Sequence, residues 1–278
     1  MDKTLLKIQV LYNDMGKSEK KIADYILSDP GALLPLSITD LADRSKSSEA
    51  TIVRFAKRLG LSGYQELKIT LAQESGKAAN THDIDINDSL SDIYDKVTSD
   101  IYRSLEMTKK SLDPKELTEA AQAVLSAGKV VIFGLGNSAS VAADAGHKFF
   151  RAGIDAAAYS DNHMQAIAAS HLKEGDVAIG ISHSGSSRDI ADALKIARDH
   201  NAKTIAITNK GKSPVARIAD IRLFTASQET EYTILGLNSR IAALAIIDTI
   251  YSYIVCHRKG DALFAIASVE DALKSKKY

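Results

Sequence analysis

A single cysteine, Cys256, in 278 residues leaves the chain unable to form an internal disulfide or a cysteine zinc cluster. A reducing compartment, by default the cytoplasm, is therefore expected. Charge of one sign is not in excess either: 35 lysines and arginines stand against 35 aspartates and glutamates. Any contact with nucleic acid must then come from a local basic patch rather than from the field of the whole molecule. The opening MDKTLLKIQVLYNDM lacks the long apolar stretch and small-residue cleavage site of a secretory leader. The longest apolar run, Ile241 to Cys256, is 16 residues and carries Asp248 in its middle. That is short of the roughly 20 a bilayer-spanning helix needs, so a buried or subunit-interface helix is expected there. The seven histidines show no H-x-H or H-E-x-x-H spacing, and no metal or cofactor is expected. Internal repeats and low-complexity tracts are also missing.

What is present divides in two, as the length suggests at roughly 150 residues per domain. Up to about residue 75 the apolar positions recur with helical period: Leu5, Ile8, Val10 and Leu11, then Ile22, Tyr25 and Ile26, then Leu67, Ile69 and Leu71. Apolar density falls from Ser75 to Ser89, where Gly76, Asn80, Asp83, Asp85 and Asn87 read as a linker. The spacing of Ile93, Val97, Ile101 and Leu105 predicts a helix with an apolar stripe, and Asp113-Pro114 supplies the N-cap and first-turn proline of another. From Lys129 onward five short apolar runs appear: VVIFGLG, IDAAAYS, VAIGIS, TIAITN and IRLFTA. Helical stretches separate the first four, which predicts a mostly parallel sheet covered on both faces. A helix around Asp261 to Lys276 is expected to close the chain. The expected domains are 1–77, a linker 78–88, and 89–278.

The segment SITDLADRSKSSEATIVRFAKRLGLSGYQELK predicts two short helices, one opening at Ser37 and one from Ser48 to Leu59 ended by Gly60, joined by a polar break at Ser45 to Ser47. That is the helix-turn-helix outline, whose second helix enters the major groove. Ile52, Phe55, Ala56 and Leu59 form the inward face. Ser48, Glu49, Thr51, Arg54, Lys57 and Arg58 are the candidates to meet phosphates and bases. Between 41 and 70 the basic residues, Lys68 among them, outnumber the acidic by three. A surface helix with solvated charges fits the periodicity equally well. The phrase from Ala50 to Lys68, however, resembles the N-terminal helix-turn-helix of the RpiR family of bacterial transcriptional regulators.

Two loops of the second half point to an anion. After the first run, Gly134-Leu135-Gly136-Asn137-Ser138-Ala139 opens a helix whose N-terminal amides can meet negative charge. After the third, Ser182-His183-Ser184-Gly185-Ser186-Ser187 crowds hydroxyls over a second helix start. The first loop also satisfies G-x-G-x-x-A with Asp161 downstream, as a dinucleotide-binding oxidoreductase would, but that reading leaves the serine loop unexplained. Ser186 or Ser187 is compatible with a plain N-cap. His163 fits either a ligand contact or a helix start, and Glu231 either a hydroxyl acceptor or a solvated charge. Arg240 precedes the long apolar helix and is equally open.

These loops resemble those of the sugar isomerase (SIS) domain over roughly 115 to 255, and helix-turn-helix plus SIS is the RpiR architecture. The resemblance implies an α/β SIS domain with a five-stranded sheet behind an all-α reader. It also implies a phosphosugar held by Asn137, Ser138, Ser182, His183, Ser184 and Ser187, with His163 and Glu231 as further contacts. His183 stands where sugar isomerases often carry glutamine, and Ser187 replaces the commoner threonine. The implied function is a non-enzymatic regulator, a repressor that binds inverted-repeat operator DNA as a homodimer or higher oligomer and responds to a phosphosugar. Within the family the chain looks most like repressors of sialic-acid catabolism, which respond to N-acetylmannosamine 6-phosphate. Glucosamine 6-phosphate, N-acetylmuramic acid 6-phosphate and pentose phosphates are the runners-up. The alternative is a phosphosugar isomerase or lyase carrying a DNA-binding head.

Overall fold

The computed structural model describes residues 3–33, 36–74, 84–209, 211–227 and 237–276. It divides into two compact units, one built mainly from residues up to Tyr102 and the other mainly from Arg103 onward.

The first unit holds α1 (Lys3–Leu11), α2 (Lys17–Ser28), α3 (Ile38–Arg44), α4 (Glu49–Arg58) and α5 (Tyr64–Glu74). Their starts are set by local capping. The Ser37 hydroxyl accepts from the Asp40 amide at 3.1 Å while the Asp40 carboxylate accepts from the Ser37 amide, a reciprocal capping box that begins α3. At α4 the Ser48 hydroxyl is the N-cap, accepting from the Thr51 amide at 3.2 Å. The intervening turn places Lys46 at φ 49° and bonds the Ser47 amide to the Ala42 carbonyl at 2.9 Å. Gly60, at φ 81°, ends α4 in the left-handed conformation that glycine tolerates best. Apolar faces then meet in one core, with Ile8, Ile22, Ile26, Leu41, Ile52, Phe55, Leu67 and Leu71 all fully buried.

The second unit contains α7 (Pro114–Ser126), β1 (Val130–Gly134), α8 (Asn137–Arg151), β2 (Ala156–Tyr159), α9 (Asn162–Ser170), β3 (Val177–Ser182), α10 (Arg188–Asp199), β4 (Lys203–Asn209), α11 (Pro214–Ile218), β5 (Ile221–Thr225), α12 (Leu237–His257) and α13 (Lys259–Leu273). α6 (Leu90–Ser111) precedes them and contributes its last turns. All strand pairings are parallel and the order is β2-β1-β3-β4-β5. Alternate residues of each strand feed opposite cores. Val130, Ile132, Ile179 and Ile205 pack with α7, α8 and α12, whereas Val131, Phe133, Ala178 and Ala206 pack with α9, α10 and α11. This three-layer arrangement is the expected one, and each of the five apolar runs contains a strand.

Two features depart from the expected pattern. The apolar run at 241–256 lies within a 21-residue helix, α12, of which Asn238–His257 is long and apolar enough to cross a membrane by length and composition. The helix is longer than the apolar run suggests, but it is buried as expected: Ala243, Ile246, Ile247, Ile250 and Ile254 join the core under the sheet. Asp248, the charge interrupting that run, pairs with Lys148 of α8, which also bonds Asp144 at 2.7 Å. Burial disfavours the Lys148 ammonium, but its bonds to the two carboxylates outweigh this and raise its pKa above the ordinary lysine value. Along α6, the apolar stripe at Ile93, Val97, Ile101 and Leu105 is only half-buried, and the deeply buried residues of its last turns are Ser104 and Thr108. The Ala226 amide donates to the Thr108 hydroxyl at 2.9 Å and the Ser104 hydroxyl donates to the Ala226 carbonyl at 3.2 Å. Hydroxyl groups of α6 thus occupy the backbone just beyond edge strand β5, where another strand could otherwise pair.

Candidate functional site

Strand order brings the two candidate loops together. β1 and β3 are direct neighbours, with Gly134 opposite Ile181, so the loops leaving them begin about 4.8 Å apart. The chain runs outward to β2 on one side of this pair and to β4 and β5 on the other. Such a reversal leaves a crevice beyond the carboxyl ends of the central strands, where doubly wound sheets bind ligands. The helices that follow, α8 and α10, both direct their N-termini to this end of the sheet, and their unpaired amides favour an anion.

The first loop is tight for a steric reason. A Cβ on Gly134 would lie 2.5 Å from the Ser138 carbonyl oxygen, so only glycine lets α8 start this close to its strand. Gly136 occupies the N-cap at φ 54° and the Ser138 amide closes a turn onto the Leu135 carbonyl at 3.0 Å. Asn137 and Ser138 thereby become the first residues of α8, exposed and half-buried respectively.

The second loop is held from behind. The Asn209 amide at the end of β4 donates to the His183 carbonyl at 3.0 Å, and the Val215 amide of α11 donates to the Gly185 carbonyl at 3.1 Å. Because C=O and N–H point in opposite directions across a trans peptide, fixing the His183 carbonyl turns the Ser184 amide the other way. Ser182 ends β3 with 5% exposure, whereas Ser184 is exposed. Ser187 is the N-cap of α10, yet its hydroxyl makes no capping bond. The plain N-cap role therefore does not account for that hydroxyl.

The remaining expected contacts fall out as follows. His163 is exposed on the first turn of α9, which follows β2 and so lies at the same end of the sheet. Arg240 is half-buried on the first turn of α12. Glu231 lies outside the described residues. Asp161, the acidic group a dinucleotide site would require, accepts from the Met164 amide at 2.9 Å and caps α9, so its carboxylate already has a structural task. Sequence reasoning missed Gln165, which is fully buried at this end of the sheet. Its polarity within the buried i, i+4 stripe with Ala169 is the signal that marks it.

In the first unit, α4 presents Ser48, Arg54, Lys57 and Arg58 at its exposed surface. The surface differs in part from the expected one. Thr51 is only 7% exposed and its hydroxyl shares a 2.8 Å bond with that of Ser48. Glu49 accepts from the Thr39 hydroxyl of α3 at 2.6 Å, which ties the two helices together. Arg58 bonds the Asp14 carbonyl at 2.9 Å and pairs with Glu19 of α2 at 3.2 Å. The Lys68 ammonium is buried and donates to the Leu36 carbonyl at 3.2 Å, which removes it from any basic patch. Among the described residues Arg54 makes one weak contact, 3.4 Å to the Thr51 hydroxyl, which draws its guanidinium toward the helix start.

Comparison with known proteins agrees with both halves. A helix-turn-helix domain of the rpiR family matches residues 2–78, and a SIS domain matches residues 124–253. The chain is 36% identical to an uncharacterised HTH-type transcriptional regulator of Caldanaerobacter subterraneus, with 100% of this chain and 99% of that protein aligned. It is 34% identical to the HTH-type transcriptional regulator HexR of Pseudomonas aeruginosa, over 100% of this chain and 98% of that protein. Among solved structures, NanR of Vibrio vulnificus complexed with ManNAc-6P shares the fold with a TM-score of 0.80 at 24% identity, covering 99% of both chains. The sugar isomerase domain of an RpiR transcription factor from Sphaerobacter thermophilus gives 0.60 at 26% identity, covering 64% of this chain and 98% of that one. With relatives of this similarity along its whole length, a matching reader and a matching α/β unit, the chain belongs to the RpiR family of HTH-type transcriptional regulators.

Proposed function

We propose that this regulator is a cytoplasmic repressor of amino-sugar catabolism genes, and that N-acetylmannosamine 6-phosphate alters its hold on an inverted-repeat operator. The observation that carries the reading is the convergence of two amide- and hydroxyl-bearing loops over two helix N-termini at the β1–β3 crevice, in a chain that also carries a helix-turn-helix. That ManNAc-6P accompanies the NanR neighbour supports the amino sugar over the other candidates. Ser182, Ser184 and Ser187 take the phosphate, while Asn137, Ser138, His163, His183 and Glu231 meet the sugar. Ala139, with His163 or Asn162, lines the space for the acetyl group. Residues 1–77 read DNA through Arg54 and Lys57, with Arg58, Ser48, Glu49 and Thr51 at the same helix, and residues 89–278 bind the effector beyond the 78–88 linker.

A sugar acts on DNA binding only through unequal affinity for the DNA-competent and DNA-incompetent states, so binding and release must both be measured. Calorimetry with N-acetylmannosamine 6-phosphate, glucosamine 6-phosphate, N-acetylmuramic acid 6-phosphate and a pentose phosphate gives the first named as tightest. It binds at least about tenfold better than inorganic phosphate, a difference of about 1.4 kcal/mol, and it shifts operator affinity. Binding no better than phosphate, or without a change in operator affinity, removes the assignment. The isomerase or lyase alternative requires turnover of the bound sugar, and none is expected, in keeping with relatives named as transcriptional regulators.

Assembly is the second part of the proposal. An apolar cavity of about 310 Å³ opens between α6, α7 and α12, lined by Leu105, Leu112, Leu117 and Ile246, and Phe150 and Phe264 are 65% and 76% exposed on α8 and α13. Apolar surface of this kind marks an interaction face, and a twofold operator calls for at least a homodimer. Sedimentation at micromolar concentration gives twice the 29.9 kDa chain mass or more; a monomer alone overturns it.

A further inference from the structure

Gln165 sits behind the first loop and is fully buried. Its Nε2 donates to the Tyr159 carbonyl at 2.9 Å and to the Gly134 carbonyl at 3.3 Å. These are the last residues of β2 and β1, so one carboxamide fastens the ends of two adjacent strands at the point where the loop departs. Fixing the Gly134 carbonyl toward α9 turns the Leu135 amide away from α9, across the same trans peptide plane. The other end of the side chain is incomplete. Oε1 is sealed from solvent and, among the described residues, no donor reaches it. Folded proteins rarely leave a buried acceptor in that condition without a reason. Exchanging the amide's two ends would remove both bonds to the carbonyls, so the observed orientation is the one that accounts for the donors.

We propose that Gln165 is a positioning residue for the phosphosugar site. Nε2 sets the direction of the peptide at which the Gly134–Ser138 loop begins, and Oε1 is the acceptor that receives a donor when the bound phosphosugar reorders that loop. The inference rests on the phosphosugar reading above. It makes the loop's anion-bound arrangement more favourable than its empty one by the bond that Oε1 gains, so removing the carboxamide weakens binding without touching a ligand contact.

The test is the pH profile of binding in Gln165→Glu, with Gln165→Met as a second variant, each measured by calorimetry with N-acetylmannosamine 6-phosphate and with inorganic phosphate. A carboxyl held against two carbonyl oxygens stays protonated above its ordinary pKa, because the charged form is repelled and desolvated. Below that raised pKa the acid donates one bond and binding resembles the parent. As pH rises through it the carboxylate pushes the carbonyls away, and the ratio of variant to parent Kd climbs by about tenfold between pH 5.5 and 8. Asp161, His163 and the ligand's phosphate are common to both proteins, so whatever they contribute cancels in the ratio. Gln165→Met, which has neither donor nor acceptor, weakens binding by up to about tenfold at every pH, as expected from the loss of the one hydrogen bond that Oε1 gains on binding. A purely structural role would lower the melting temperature and leave the Kd of the folded protein and its pH profile unmoved. If both variants match the parent at every pH, this inference falls alone; if the parent binds neither probe, the phosphosugar reading falls and takes this one with it.

Discussion

Replacing Ser182 and Ser184 together with alanine abolishes the response of operator binding to the phosphosugar, while operator affinity without the sugar stays within about twofold of the parent. The argument begins from the depth of the two hydroxyls. Ser182 closes β3 with 5% exposure, and Ser184 stands in the open on a loop pinned by Asn209 and Val215. One hydroxyl is thus shielded from water and the other is reachable, and both precede a helix start. Hydrogen bonds to an ionised partner contribute about 1.5–3 kcal/mol each, more where water is excluded. Losing two removes about 3 kcal/mol or more, and affinity falls at least about 100-fold. Alanine leaves the loop carbonyls and the glycine conformation at Gly185 as they are, so the fold survives. In a melting experiment the sugar-free midpoint moves by no more than about 2–4 °C, the equivalent of about 1 kcal/mol in a chain of this size. The rise in midpoint that the sugar gives the parent is lost. A double variant that still releases operator with the parent's sugar dependence places the phosphate elsewhere.

The same residues show how far the sequence could be read. The inward face of α4 was legible because Ile52, Phe55, Ala56 and Leu59 follow helical spacing, and spacing is a local property. The hydroxyl of Thr51 suggests an outward position, yet the residue lies four before Phe55 and so shares its stripe. Its residue type misleads where its position does not. Glu49, Arg58 and Lys68 find partners on α3, on α2 with the turn before it, and at Leu36. Such contacts arise from tertiary packing, which no local pattern reveals. The five strands were legible because strands buried on both faces read as unbroken apolar runs. Their order was not, and order is what makes neighbours of two loops more than 40 residues apart in the chain. Asp161 satisfied a spacing motif and proved to be a cap, because a side-chain oxygen next to a helix start has a bond available three residues on. Gln165 acquires meaning only from the carbonyls of two different strands.

Arg54→Ala lowers affinity for the operator by at least about 30-fold at fixed salt while affinity for unrelated duplex DNA changes little. Among the basic residues of α4, Arg58 is occupied by Glu19 and the Asp14 carbonyl. Arg54 is exposed and, among the described residues, makes one long contact, to Thr51, which holds its guanidinium near the start of the helix. In a helix-turn-helix the residues near the start of the second helix reach base edges, and arginine there can pair both acceptors of a guanine. One such pair is worth about 1–3 kcal/mol, so a twofold protein on two half-sites loses about 2–6 kcal/mol. Lys57, exposed one turn later, supplies the contrast. A lysine on a phosphate weakens all sequences alike and reduces the dependence of log affinity on log salt by about one unit per contact. Measured side by side across a salt series, Arg54→Ala moves specificity and leaves the slope near the parent's, whereas Lys57→Ala moves the slope and leaves specificity. Arg58→Ala instead lowers the melting temperature of the free protein, because it loses ties to the α2 region. If Arg54→Ala binds operator as tightly as the parent at the same salt, the base-reading residue lies elsewhere on the helix.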